Sequence, residues 1–318
     1  MSPHPLFDTA VIGGGPAGLV CAMNLARLRR RVILFDAGVS RAASIPRSHN
    51  YPGFPEGLAG AALIEQLWRQ LSAYPVVTRS ARVDGLGTDP EGFRLVTQDG
   101  EVAARTVVLA TGASDVPPRM AHLEQALARG ALRYCPVCDG YEVVGQAVGV
   151  LSDGPSGAHE ALYLKQFTDR LIVFTDGGAG RLGVDLRAEL DANAIELNDA
   201  PVLAVEVDAD GVRVRHESGE THCDSMYCAL GMQVHSGLAV ALGAAADESG
   251  YLEIDAHHRT GVPGLYAIGD VAQGLNQITV AYGGASIAAS AIHVALNQSP
   301  QVTSTRRDVA ERQEEAGQ

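Results

Sequence analysis

Two cysteines separated by Pro-Val, Cys135 and Cys138, are followed at once by Asp139 and Gly140. This spacing serves either metal binding or thiol–disulfide exchange. A structural zinc site is tetrahedral and needs a second pair of ligands. Cys223, Cys228 and the histidines supply no matching second pair, so no metal is expected. A purely structural disulfide is also disfavoured, because closing so short a loop removes little chain entropy. Redox exchange remains, and Asp139 is then a candidate acid/base for the thiol proton. Its plainer role would be to cap the helix that follows. The other cysteines, Cys21, Cys223 and Cys228, read as small core residues.

A redox pair needs an electron carrier beside it, and the N-terminal segment offers a site. Residues 7–12 (Phe-Asp-Thr-Ala-Val-Ile) read as a strand running into Gly13-Gly14-Gly15-Pro16-Ala17-Gly18. A helix is expected from about Pro16 to Arg29, then a strand from Arg31 to Phe35 ending on Asp36. Gly-x-Gly-x-x-Gly in a βαβ unit, with an acid about twenty residues on, fits a dinucleotide. Gly13 permits the tight turn, Gly15 admits the pyrophosphate, and Gly18 lets helix and strand pack. The helix start supplies N–H groups, and Asp36 can accept from ribose hydroxyls.

The remaining elements repeat this plan. Phe93–Thr97 and Val102–Ala110 read as a hairpin stopping at Thr111-Gly112, and Pro117-Pro118 marks a crossing. A second βαβ unit is expected from Ala147 to Leu151, through a helix ending near Phe167, to Leu171–Phe174. Gly264–Asp270 reads as a strand ending in Gly-Asp, followed by an Ala-rich helix from about Ala285 to Asn297. The fold class is therefore α/β, with two Rossmann-like three-layer nucleotide-binding domains.

Composition narrows the partners. A net charge of −13 argues against nucleic acid. The basic run at 27–31 reads as a solvated helix end. No apolar stretch reads as long enough to span a bilayer, and no signal peptide is evident, so a cytoplasmic chain is expected.

These segments, together with His49-Asn50-Tyr51-Pro52-Gly53-Phe54-Pro55, Ala110-Thr111-Gly112 and Gly269-Asp270, resemble the low-molecular-weight thioredoxin reductases. The resemblance implies FAD, and a middle domain inserted into the FAD domain: 1–117 and 247–300 for FAD, 118–246 for the insert, with a polar tail at 301–318. It implies that Asp270 bonds the ribitol and phosphate side, and that Gln277, Ile278 and Thr279 lie against the isoalloxazine. Asn50, Thr111, Gly112 and Gly269 would complete the cradle, with the Val83 backbone near the adenine. It implies that reduced flavin passes electrons to Cys138, and that Cys135 attacks the disulfide of a thioredoxin-like protein or small molecule. A homodimer is implied too.

The chain departs from that family in the middle domain. The second glycine-rich turn reads Ser152-Asp153-Gly154-Pro155-Ser156-Gly157, and the next strand ends on Thr175-Asp176-Gly177-Gly178 in place of a basic cluster. A side chain at the turn obstructs phosphate, Asp153 repels it, and missing arginines remove recognition of a 2′-phosphate. Asp176 suits NADH better than NADPH. The favoured reading is a disulfide reductase whose donor is ferredoxin or another flavoprotein. The alternatives are an NAD(P)H-dependent thioredoxin-disulfide reductase and an oxygen-using oxidase of a small dithiol, of the gliotoxin and holomycin type. The oxidase branch tends to carry His where this chain has Asp139.

Overall fold

The computed structural model describes residues 6–298, so the tail expected at 301–318 lies outside the described residues. The described residues divide into two compact units, one of residues 6–42, 64–113 and 234–298, the other of 43–63 and 114–233.

The first unit is built on a parallel sheet whose central strand, Phe7–Ile12, is flanked by Val32–Phe35 and by Gly100–Leu109. Apolar runs such as Val32-Ile33-Leu34-Phe35 are buried throughout, as strands covered on both faces must be. The long strand Gly100–Leu109 serves two neighbours along one edge. Its first half pairs antiparallel with Gly92–Thr97, and its second half pairs parallel with Leu265–Ala267. The distant Gly-Asp segment thereby arrives beside the N-terminal βαβ unit.

The helix Pro16–Arg27 packs against the C-terminal helix Ile278–Gln298. That second helix begins seven residues before the expected Ala285, so Ile278 and Thr279 lie in its first turn. It is also long and apolar enough to cross a membrane, with a mean hydropathy of 1.4 over its best window, contrary to the expectation of no such stretch. Its Ala285, Ala288, Ala289 and Ile292 are buried, and small residues let the two helices approach closely. Burial of one face accounts for the composition without a bilayer.

The second unit holds a five-stranded parallel sheet in the order Glu196–Asn198, Arg170–Phe174, Ala147–Ser152, Ser225–Ala229, Leu132–Arg133. Pro155–Leu164 connects the strands of the second βαβ unit. A three-stranded antiparallel sheet, Val202–Val207 with Val212–His216 and Gly219–Cys223, completes the unit.

Cys21, Cys223 and Cys228 are buried, and burial pushes each thiol up to about 12. In this same unit Glu160 has one carboxyl oxygen, Oε2, buried without a hydrogen-bond partner. Burial first, and the nearby Asp115 carboxylate second, push its pKa from 4.5 up to about 7.

Two outcomes are expected. Near pH 8 a thiol at about 12 is ionised to roughly one part in ten thousand, so the reduced native protein should show two fast thiols and release three more only on denaturation. Five fast thiols in the native protein would contradict this core. For Glu160, the folded state retains a proton that the unfolded chain releases between pH 4.5 and about 7, so stability falls as pH rises through that window. Glu160→Gln should flatten that decline in thermal melts taken across the window, and an unchanged slope would contradict the burial argument.

Candidate functional site

The first glycine turn is defined by approaches that exclude any Cβ. Gly13 has φ +120°, and a Cβ there would stand 2.1 Å from the Ala110 carbonyl oxygen. A Cβ on Gly18 would meet the Gly13 oxygen at 1.9 Å, and one on Gly14 would strike the Asp36 carboxylate at 2.3 Å from Cγ. Gly15 differs, since its nearest neighbour is Ser40 Oγ at 3.6 Å. The turn is thus tight where strand meets helix and open on the side of Gly15, where a pyrophosphate would lie. Pro16 occupies the first helical position with Ala17 behind it, and Gly15 is the N-cap.

Asp36 closes the second strand. Its backbone N–H donates to Arg79 O (2.9 Å) and its Oδ1 accepts from Gly38 N–H (3.0 Å). Gly269, at φ +67°, sits so near the helix start that a Cβ would fall 2.9 Å from the Ala17 Cβ. The structure therefore brings Gly13–Gly18, Asp36, Gly269 and Asp270 together in one unit. Asp270 is ion-paired to Arg41 (3.2 Å), a residue the sequence reading did not single out. The only signal for Arg41 is its place just after the second strand.

The other expected cradle residues are distributed as follows. Thr111 Oγ1 donates to His235 O (2.7 Å), and Gly112 O accepts from His235 N–H (3.0 Å). Val83 is buried at the start of Val83–Asp89, opposite Thr97. The Gln277 carbonyl accepts from Ala281 N–H (2.9 Å) at the head of the C-terminal helix. Asn50 belongs to the second unit, in a loop closed by the Ser48–Leu58 bridge, and accepts from Ser48 Oγ (2.7 Å).

In the second unit Cys135 and Cys138 form a disulfide, with Cα atoms 5.2 Å apart. Cys135 is extended, Pro136 starts a single helical turn, and the N–H groups of Cys138 and Asp139 both donate to Cys135 O (2.9 and 3.2 Å). Gly140 is required by packing, because a Cβ there would lie 2.6 Å from the Phe167 ring.

Asp139 makes no side-chain cap bond to the helical turn Gly140–Val143, contrary to the capping role considered from sequence. Its carboxylate turns to the sheet. Oδ2 accepts from Arg133 Nη1 (2.6 Å), and Oδ1 accepts from the Tyr227 hydroxyl (2.7 Å). Tyr227 is fully buried, and burial together with the Asp139 charge raises its pKa, so the hydroxyl keeps its proton and donates.

The second glycine turn differs from the first. Ser152 is fully buried, and its Oγ accepts from the N–H groups of both Gly154 and Gly157 (3.1 Å each) while donating to Gly154 O (2.9 Å). Asp153 is exposed and ion-paired to Arg181 (3.4 Å). This corrects the reading that arginines are missing after Leu171–Phe174: Arg181 follows that strand, and it faces the turn's own aspartate. Asp176, at φ +48°, accepts from Val202 N–H through Oδ1 (2.7 Å). Among the described residues no cluster could hold a metal ion.

Comparison with known proteins agrees with this arrangement. The family model for pyridine nucleotide-disulphide oxidoreductases matches residues 7–285. The thioredoxin reductase of Treponema pallidum is 29% identical over 302 residues, covering 90% of this chain and 95% of its own. The crystal structure of thioredoxin reductase from Streptococcus pyogenes superposes with a TM-score of 0.86 at 28% identity, covering 92% of this chain and 99% of its own. That of the atypical thioredoxin reductase TRi from Desulfovibrio vulgaris Hildenborough gives 0.51 at 31% identity, covering 93% and 99%. The chain belongs to the pyridine nucleotide-disulphide oxidoreductase family and is a flavin-dependent disulfide oxidoreductase of the thioredoxin reductase type.

Proposed function

We propose that this protein binds FAD and reduces the disulfide of a thioredoxin-like protein or a small molecule through Cys135 and Cys138, drawing electrons from a donor other than NADPH. Ferredoxin or another flavoprotein is the donor class we assign. FAD, when bound, supplies the two electrons that open the Cys135–Cys138 disulfide. The fit of FAD rests on the first turn, where Gly15 leaves room for the pyrophosphate and Asp36 stands at the ribose end. Pro16, Ala17, Thr111, Gly112, Gly269, Asp270 and Arg41 would line that cofactor, with Asn50, Val83, Gln277, Ile278 and Thr279 as further contacts.

The chain's own residues then carry the exchange. In the dithiol form the Asp139 carboxylate takes the proton from Cys135 Sγ, and the thiolate attacks one sulfur of the partner disulfide. A mixed disulfide forms, and the other partner sulfur leaves with the bonding pair and collects a proton. Cys138, losing its own proton, attacks Cys135 Sγ, restores the disulfide and releases the second partner thiol. One dithiol is oxidised, one disulfide is reduced, and two protons pass to the products.

The observation that carries the choice of donor is the Ser152 hydroxyl. In the second unit the Gly154 and Gly157 amides are bonded to Ser152, so a pyrophosphate there would first have to break those bonds. The Asp176 carboxylate accepts from Val202 N–H through one oxygen, Oδ1. Likeness to a relative described as an atypical thioredoxin reductase is consistent with this reading. We also assign a homodimer. Val280, Ile287 and Val294, each 43–48% exposed, recur at seven-residue spacing on the C-terminal helix and leave an apolar stripe to cover.

The purified protein should be yellow and release FAD on heating. Under anaerobic conditions NADPH and NADH at millimolar concentration should bleach the flavin slowly or not at all, while reduced ferredoxin bleaches it fully. Bleaching by either nicotinamide at about ten per second, an ordinary turnover rate, would restore the NAD(P)H-linked enzyme.

A further inference from the structure

Two groups that sequence reading did not notice, Arg133 and Tyr227, meet the Asp139 carboxylate, each on a different oxygen. They come from neighbouring parallel strands, with Tyr227 directly opposite Arg133 in the register of Ser225–Ala229 on Leu132–Arg133. The sheet therefore fixes both donors before the redox turn is laid against them. Asp139 is only four residues beyond Cys135, and its amide shares the Cys135 carbonyl with Cys138. Whatever orients the carboxylate also orients it relative to the two sulfurs.

The shape of the contact speaks against a purely structural ion pair. Arginine–carboxylate pairs are frequently bidentate, gripping with two parallel N–H groups. Here a single nitrogen, Nη1, makes the contact, and Arg133 Nε is buried without any partner. Glu142 Oε2 is likewise buried and unpartnered, and the Glu142 charge acts on Tyr227. Two buried polar atoms left unmatched cost stability. What the cluster gains in return is a carboxylate held at one corner by charge and at the other by a hydroxyl that keeps its proton.

We infer that Arg133 and Tyr227 are positioning residues for thiol–disulfide exchange: together they hold the Asp139 carboxylate in the orientation from which it exchanges a proton with the redox cysteines. The inference rests on the acid/base role proposed above for Asp139. The side chains that hydrogen-bond the Asp139 carboxylate are those of Arg133 and Tyr227.

The test uses the flavin-loaded full chain, reduced anaerobically, freed of reductant and mixed in single turnover with dithiodipyridine. Arg133→Gln and Tyr227→Phe should each retain flavin and slow release of pyridinethione by about tenfold, a part of what a general acid/base supplies. Arg133→Lys should recover the rate in part, since it returns a cation to the same carboxylate oxygen. Asp139→Asn should be the slowest of the set. Wild-type rates in folded Arg133→Gln and Arg133→Lys, beside a slow Asp139→Asn, would overturn the inference and leave the reading of Asp139 intact. A fast Asp139→Asn would remove that reading and this inference with it. Should Tyr227→Phe fail to fold, the two arginine variants decide the matter.

Discussion

The first unit is organised around a contact too close for any side chain. The Gly13 Cα faces the Ala110 carbonyl, the Gly18 Cα faces the Gly13 carbonyl, and Gly269 presses on Ala17. Each forces backbone against backbone or a methyl, so the strands Phe7–Ile12 and Leu265–Ala267 must converge on the head of one helix. The branching strand Gly100–Leu109 makes that convergence possible by pairing with both. Without it, the Gly-Asp segment would have no register to bring it beside residues more than two hundred positions earlier.

The second unit repeats the plan with one difference in chemistry. In the first turn the position beside the helix start is open, with Ser40 Oγ as the nearest neighbour of Gly15. In the second, Ser152 turns its hydroxyl inward and satisfies two amides of the same turn. A turn that must hold an anion leaves its N–H groups waiting, at a cost in stability; a turn that satisfies them internally is more stable and less able to bind. Arg181 supports this view of the second turn, because its charge is directed at Asp153.

Much of this was legible in the sequence. The glycine spacing with Asp36, the Cys-x-x-Cys-Asp segment and the odd residues Ser152 and Asp153 identified the relevant turns, because each has a local physical signature. What escaped was long-range. Arg133 and Tyr227 lie in short strands separated by most of a domain, and nothing in either segment announces a shared carboxylate. Arg41 and Arg181 were missed for a similar reason, since a lone arginine after a strand reads as solvated surface. The C-terminal helix was placed too late, because Thr279, Val280, Tyr282 and the glycines Gly283 and Gly284 are poor helix formers that tertiary packing overrides.

The inward Ser152 hydroxyl has a corollary for how such a turn can change. A Cβ at Gly157 would stand 2.2 Å from the Ser152 Cβ, so the serine fits only while position 157 stays bare. The two sites are unequal partners. Reverting Ser152 to glycine needs no other change, whereas any side chain at Gly157 must wait until the serine has gone. The order of substitutions between a self-satisfied turn and an open one is thereby directional: position 152 moves first, and only then does 157 become free to vary.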